Sequence, residues 1–389
     1  MVDIKAVMSA NPGVRYILGR LEEAGYTAHL VGGAVRNVLL DHPVKDYDIS
    51  TNAHPDAVTS VFQKLDHSVH PTGIDHGTVT VVLQDEPYEI TTWRRDVATD
   101  GRRATIAFAD HIEDDAHRRD FTVNALYANR DGDILDPTGE GLQDAANRRI
   151  RFIGDAHRRI REDALRILRY FRFTATFSGV ADTDSYDYEA CCYLAHHVDG
   201  LSRERIGDEM RRILSFPTSS ATLSAMDEAG VLQRALPDFL ITGKALLPRL
   251  EEQERALGLE PCHLRRLALL CDAPPKQELR LTGAEVKTLQ ALTAAANSDM
   301  APAELGYRFP LDQALSALAL KGAKAAVEYG SDSVEQMAFG SSQTFPIKAV
   351  DLMPRGFKGP ALGEQLRELE RRWIASGFQT SKQHLLAVA

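Results

Sequence analysis

Cysteine is scarce in this chain: four in 389 residues, the adjacent Cys191 and Cys192 plus Cys262 and Cys271. No CxxC spacing occurs, which excludes a thiolate metal site and a disulfide framework, and the four are expected to be buried reduced thiols. Long apolar runs are absent as well. The first twenty residues hold neither a signal-type apolar stretch nor a small-residue cleavage site, and no later stretch approaches the roughly 20 apolar residues of a spanning helix. A cytoplasmic protein with no membrane partner is therefore expected. Positive charge is not in excess either: 45 Lys and Arg face 55 Asp and Glu, and a net charge of −10 argues against indiscriminate coating of nucleic acid. There is no low-complexity tract and no repeat of fixed period. No His-Asp dipeptide occurs, so His196, His197 and Asp199 do not suggest a second, hydrolytic metal site, and His70, His76 and His117 read as structural or surface groups.

What is present is an ordinary globular composition, 44% hydrophobic, in a chain long enough for two or more domains. The first 150 residues read as α/β. Residues 13–24 form an amphipathic helix pattern, TAHLVGG a strand entering a glycine turn, AVRNVLL a helix start, DYDIST a strand, and PDAVTSVFQKL a helix with Pro in its first turn. GTVTVVLQDEPYEITTWRR alternates like a hairpin with turn residues Gln84 to Pro87. After Gly154 the pattern is helical almost throughout. Residues 155–177 read as one helix, with Ile160, Ala164, Leu165, Ile167, Leu168 and Phe171 near one stripe and arginines opposite. Further helical patterns fall at 203–214, 219–230, 244–258, 263–272, 283–297, 312–328 and 360–376. Between Arg148 and Arg172 nine arginines face three acids, so one basic element is expected to hold RNA on an acidic protein.

The densest chemistry lies in VGGAVRNVLLDHPVKDYDIST, residues 31–51. Gly32 and Gly33 follow a strand and open a helix, where backbone N–H groups can approach a phosphate. Asp46 and Asp48 stand two apart in a β-like run, which puts both carboxylates on one strand face. Two such carboxylates repel unless a cation sits between them, and hard oxygen ligands suit Mg²⁺. That pattern fits two-metal phosphoryl transfer. Taken singly, each element also fits a tight turn and a solvated strand end; the order GG, helix, DxD favours the catalytic reading.

GGAVRNVLL followed by KDYDIST resembles the first motif of class II tRNA nucleotidyltransferases and bacterial poly(A) polymerases, of the DNA polymerase β superfamily. RRDFTVNAL (118–126) resembles that family's second signature, and REDALRILRYFRF (161–173) its helical nucleotide-reading motif. The resemblance is strong over about the first 235 residues, including LSRERIGDEMRRIL, and weaker beyond, where GPALGEQLRELERRWI resembles tails of bacterial CCA-adding proteins. It implies an α+β fold: a small polymerase β-like head (1–150), a helical neck (151–235), and a helical body and tail (236–389) that bind tRNA. It further implies that Asp46 and Asp48 bind Mg²⁺ and that Gly32, Gly33 and Arg36 help hold a triphosphate. Arg119 and Asp120, with Asn124 of the same motif, would contact phosphate and ribose. Glu89, in the alternating strand YEITTW, is the candidate third catalytic carboxylate; an exposed strand glutamate is the plain alternative.

Asp163 and Arg166 resemble the pair that selects the base without a template, with Arg169 next on the same motif. Their i, i+3 spacing would put both on one helix face. Arg donates and ionised Asp accepts, so together they can match the Watson–Crick edges of C or A; an ordinary ion pair is the alternative. WRRDVATDGRRATIAF (93–108) resembles the flexible loop used in switching from C to A. Two positions depart from the family pattern: Asn37 stands where Asp is usual, and Ala104 where Pro is frequent. The implied activity is CCA addition to tRNA from CTP and ATP. An A-adding enzyme or poly(A) polymerase, and a non-catalytic tRNA-binding protein, are the alternatives.

Overall fold

The structure is a computed structural model that describes residues 4–99, 104–179 and 181–389. The chain divides into two compact units, one of residues 1–213 and 221–237, the other of 214–220 and 238–389.

In the first unit, helices α1 (Ile4–Ala10) and α2 (Pro12–Glu23) precede strand β1 (Ala28–Val31). Asn11 caps α2 by accepting from Val14 N at 3.0 Å, and Pro12 fills the first turn, where a missing N–H costs nothing. There follow α3 (Gly33–Leu39), β2 (Asp48–Thr51), α4 (Pro55–Gln63), β3 (Ser68–Gly73), β4 (Thr78–Leu83) and β5 (Glu86–Thr92). Strands β6 (Arg94–Thr99) and β7 (Ala104–Phe108) pair as a separate two-stranded ribbon. The segment read as a flexible loop is thus largely this ribbon, and its tip, residues 100–103, lies outside the described residues. Helix α5 (Ile112–His117), strands β8 (Tyr127–Ala128) and β9 (Ile134–Leu135) and helix α6 (Gly141–Ala146) complete the α/β part.

The main sheet has the order β3-β4-β5-β2-β1-β8-β9. Among the described residues only β2 and β5 pair in parallel; every other neighbouring pair is antiparallel, giving a mixed sheet. The β4–β5 turn is two residues, Gln84 and Asp85, both at positive φ (51° and 67°), as a tight hairpin twist demands. It is shorter than the four-residue turn expected, because Glu86 and Pro87 already pair with Leu83 and Val82. Along β5, Tyr88, Ile90 and Thr92 are buried while Glu89 faces solvent.

The helical part of this unit begins with α7 (Ala156–Glu162), α8 (Leu165–Phe177), α9 (Tyr186–Tyr193) and α10 (Arg203–Leu214), followed by α11 (Ser219–Glu228) and α12 (Leu232–Ala235). The single helix expected over 155–177 is two. Asp163 takes an extended conformation (φ −154°, ψ 106°), and its carboxylate accepts from Leu165 N at 3.1 Å, capping the new helix from outside.

The second unit carries α13 (Ile241–Ala256), α14 (His263–Leu270), α15 (Gly283–Ala296), α16 (Pro302–Arg308), α17 (Leu311–Ala325), α18 (Ser331–Ser341), α19 (Ala349–Leu352), α20 (Gly359–Ala375) and α21 (Lys382–Ala387). Helices α16 and α18 cross with glycine on both sides. A Cβ on Gly306 would lie 2.1 Å from Met337 O, and one on Gly340 1.8 Å from Ala303 O. Buried Arg265 and Arg266 both pair with the buried Glu254, at 2.8 and 2.7 Å. Near the end of the chain Trp373, Leu369, Leu352, Ile347 and Leu385 form a core of their own. The cysteines are unpaired; Cys191 and Cys271 are buried as expected, whereas Cys192 and Cys262 are only partly so. No helix among the described residues is long and apolar enough to cross a membrane.

Candidate active site

Asp48 opens β2 and lies directly beside Glu89 of β5 in the parallel register, and Glu89 faces Thr80 of β4 on its other side. Side chains in register on adjacent strands share a face, so the Asp48 and Glu89 carboxylates project together. Asp46 is not on the strand: the ladder begins at Asp48, where β5 first supplies a partner, and Asp46 lies in the irregular segment before it. The expected common strand face therefore holds for Asp48 and Glu89 rather than for Asp46 and Asp48. All three nonetheless line one open cavity of roughly 1260 Å³, together with Lys45, Thr80 and Tyr88.

The Asp48 carboxyl is raised above its ordinary value, first by partial desolvation, then by the neighbouring charge of Glu89, with Asp46 adding to it and Arg119 opposing. A carboxylate held among like charges is what a cation would relieve. Among the described residues no three His, Cys, Asp or Glu side chains converge closely enough to hold an ion unaided. The set fits Mg²⁺ in the manner usual for that ion, with one or two carboxylates and the remaining positions left to water and substrate phosphates.

Gly32 has φ 65°, and a Cβ there would lie 3.2 Å from Arg119 Nη1. Glycine is thus needed both for the turn and for the guanidinium that closes over it. The Gly32 N–H donates to Leu126 O at 3.0 Å, so this donor serves the fold and is not directed to a ligand. Arg119 is held by a residue that sequence reasoning missed. Asp115 of α5, wholly buried, accepts from Arg118 Nη2 at 2.7 Å, Arg119 Nη2 at 2.9 Å, the Tyr127 hydroxyl at 2.8 Å and Ser50 Oγ at 3.4 Å. Burial alone would raise its carboxyl; the two guanidiniums and the hydroxyl outweigh burial and hold it well below the usual range. The i, i+3 and i, i+4 spacing from Asp115 to Arg118 and Arg119 was the available signal.

Asp120 is buried and held from three sides. Its Oδ1 accepts from Phe121 N at 2.9 Å and Asn124 Nδ2 at 2.8 Å, and its Oδ2 from Arg169 Nε at 2.6 Å. Desolvation works against its charge, but Arg169 and these hydrogen bonds prevail and lower its pKa. Asn124 Oδ1 in turn accepts from Arg36 Nη1. The Arg36 guanidinium packs over Phe173 and Phe177 of α8, at 4.8 and 4.9 Å, and burial followed by repulsion from Arg172 lowers its pKa to about 10. Arg169 and Arg172 stand over the same Phe173 ring, at 5.1 and 4.1 Å. Arg36, Asn124, Asp120 and Arg169 are therefore one connected network, while Gly33 merely begins α3 within 3.7 Å of Arg36 Nη2 at its missing Cβ.

Asp163 and Arg166 do not share a helix face, because the break between α7 and α8 separates them. Asp163 Oδ2 accepts from Arg205 Nη2 of α10 at 2.7 Å. Arg166 Nη1 donates to Glu162 Oε2 and to Arg159 O, each at 2.9 Å, and Nη2 to Arg118 O at 3.2 Å. Each member of the pair is thus fixed by its own partners, and Glu162, Arg205 and Arg118 join the site through them.

Residues 28–151 match the family described as "Poly A polymerase head domain", and residues 188–240 that described as "Probable RNA and SrmB-binding site of polymerase A". The chain is 30% identical over 394 residues to the mitochondrial CCA tRNA nucleotidyltransferase 1 of Mus musculus, an alignment covering 96% of this chain and 89% of that protein. It is 39% identical over 269 residues to a CCA-adding enzyme of Leuconostoc citreum, covering 67% of this chain. The match spans 64% of that relative's length, and about half (52%) of that of a Streptococcus uberis CCA-adding enzyme. Its fold superimposes on the Bacillus stearothermophilus CCA-adding enzyme in complex with CTP with a TM-score of 0.78 and 28% identity, covering 96% of this chain and 95% of the other.

Proposed function

This chain belongs to the family of CCA-adding tRNA nucleotidyltransferases, and we propose that it adds CCA to the 3′ end of tRNA from CTP and ATP, releasing pyrophosphate. The single observation that carries this reading is the carboxylate wall of Asp46, Asp48 and Glu89 in one cavity, with the Asp115-anchored Arg119 close enough to act on the charge of Asp48.

In this reading Asp46 and Asp48 hold Mg²⁺, with Glu89 as the third carboxylate of the wall. When bound, Mg²⁺ lowers the pKa of the attacking RNA 3′-hydroxyl and neutralises charge on the triphosphate. The chain's own residues orient the partners. Arg119, fixed by Asp115, faces phosphate oxygens as a fork of donors. Asp120 and Asn124, already locked to one another, present the ribose edge, with Arg36 and Arg169 behind them. Arg166 has five N–H donors and three bonds within the protein, so it retains donor capacity for a base edge while Glu162 sets its direction. Asp163, steered by Arg205, supplies the acceptor. The helix break supports this division: a single helix would turn the two side chains into one ion pair, whereas the break lets each be aimed separately. The head (1–150), neck (151–235) and body with tail (236–389) divide the work into chemistry, nucleotide reading and tRNA holding, the last by shape and backbone contact. The protein would act in the cytoplasm.

The test is incubation of the purified protein and Mg²⁺ with tRNA ending at the discriminator base, supplied with CTP, ATP or both, and read at nucleotide resolution. Two C additions from CTP, and a terminal A only with ATP also present, are expected; Asp46→Ala should abolish both while leaving tRNA binding. Long ATP-only ladders would mean a poly(A) polymerase, and a fully active Asp46→Ala would remove the metal assignment.

A further inference from the structure

The departure at Asn37 has a structural use. Its Oδ1 accepts from Arg36 Nη2 at 2.8 Å and Nε at 3.1 Å, while its Nδ2 donates to Pro43 O at 2.8 Å. Its backbone carbonyl accepts from His42 N at 2.8 Å, in a turn where Asp41 sits at φ 61°. One residue thus grips Arg36 with its carbonyl oxygen and the 42–43 turn with its amide and backbone. That turn leads directly into Lys45 and Asp46. Both ends of the grip converge on the same part of α8: Arg36 packs over Phe173 and Phe177, and the His42 ring meets Phe177 edge-on at 4.9 Å and 87°.

From this geometry we infer that Asn37 is a positioning residue, a two-sided clip that sets the segment bearing Asp46 and Asp48 against neck helix α8. The inference rests on the reading of those carboxylates as the Mg²⁺ ligands. Helix α8 then serves the site at both ends: Arg166 and Arg169 near its start face the nucleotide, and Phe173 and Phe177 near its finish hold the approach to the metal carboxylates. The amide is essential to the clip. An ionised Asp only accepts; at this position it would keep the grip on Arg36 but set an oxygen against the Pro43 carbonyl. Asn37→Asp therefore cuts the clip on one side only, and Asn37→Ala cuts the side-chain contacts on both.

The experiment compares wild type, Asn37→Asp and Asn37→Ala by amide hydrogen exchange and by the Mg²⁺ concentration needed for half-maximal CTP incorporation. Loss of one net hydrogen bond predicts about fivefold faster exchange over residues 41–48 in both variants. Exchange over 173–177 should change only in Asn37→Ala, and β4, remote from the clip, should be unaffected. The half-saturating Mg²⁺ concentration should rise by about the same factor in both variants. Wild-type exchange over 41–48 in Asn37→Asp overturns the clip. Faster exchange with an unchanged Mg²⁺ requirement overturns its positioning role. If wild type itself incorporates no nucleotide, the functional reading fails instead, and the exchange comparison still decides whether the clip exists.

Discussion

Replacing Asp115 by Asn is the sharpest test of how the site is held. The carboxylate is fully buried, and its cationic partners Arg118 and Arg119 have side chains only 16% and 19% exposed. Asn keeps one acceptor oxygen but points an NH₂ group at guanidinium N–H groups, and it removes the counter-charge bonded to two largely buried cations. Breaking a buried pair from one side costs about 3–5 kcal/mol. At about 2–4 °C per kcal/mol for a unit of this size, the first unfolding transition should fall by roughly 6–20 °C. Glu23→Gln, which removes the half-exposed partner of Arg20 on α2, should cost at most about 1 kcal/mol. The pH dependence follows from the sign of the shift. Because the folded Asp115 carboxyl is depressed, its contribution is complete above the ordinary carboxylate value near 4 and is lost only as pH falls through the folded value. The gap between wild type and variant, read by urea denaturation, should thus be constant from about pH 5 to 8 and narrow only in stronger acid. A loss under about 1 kcal/mol at neutral pH would refute the argument, since it would mean that the arginines find other partners.

Gly32→Ala should destabilise the first unit by roughly 1 kcal/mol through its positive φ and should raise KM for nucleotide more than it lowers kcat, because the added methyl displaces Arg119; an unchanged KM would separate that turn from the nucleotide. Asp187, buried on α9, has its carboxyl pushed up to about 6, chiefly by desolvation, so the folded state binds its proton more tightly than the unfolded chain does. Its ionisation therefore weakens folding as pH rises from about 4 to 6, and Asp187→Asn should stabilise the protein by up to roughly 3 kcal/mol at pH 7 and not at pH 4, measured by thermal melts at both. Gly340→Ala forces a methyl into the Ala303 carbonyl and should cost the second unit roughly 3 kcal/mol in urea unfolding, with no comparable effect from Ala at Gly283, whose Cβ would meet open space.

Local features of the chain were legible from sequence because their determinants are local. The glycine turn, the Pro-initiated α4 and the β4–β5 hairpin each follow from a few adjacent residues, and α10 begins and ends where its periodicity places it. Alternation placed Glu89 on a strand, and its pairing with Asp48 is the register that alternation cannot supply. The break at Asp163 was not legible: DALRIL continues the helical period, and only the outward capping of Leu165 N by Asp163, with Arg205 on its other oxygen, reveals the stop. Asp115 was hidden for a different reason. It is the third of three consecutive acids, Glu113, Asp114 and Asp115, and a pattern that reads as a solvated helix start does not say which of them turns inward. Arg36 was assigned from resemblance to a triphosphate, whereas its packing on Phe173 and Phe177 depends on residues more than a hundred positions away.

The lone parallel pairing in the sheet also governs when the site can come into being. β2 and β5 run side by side, so they cannot be joined by a simple turn; α4 and the β3–β4 excursion must fold back before Asp48 meets Glu89. A nascent chain that has just delivered Asp46 and Asp48 to the ribosome exit has two carboxylates and no wall to set them in. Arg119 and the Asp115 anchor emerge later still, and the α8 arginines after those. Non-local pairing of this kind is slow relative to local helix formation. Assembly of the cavity wall and the arginines around it is accordingly a late event of synthesis, and a chain interrupted before α8 would carry the acidic residues and Arg119 but not Arg166, Arg169 and Arg172.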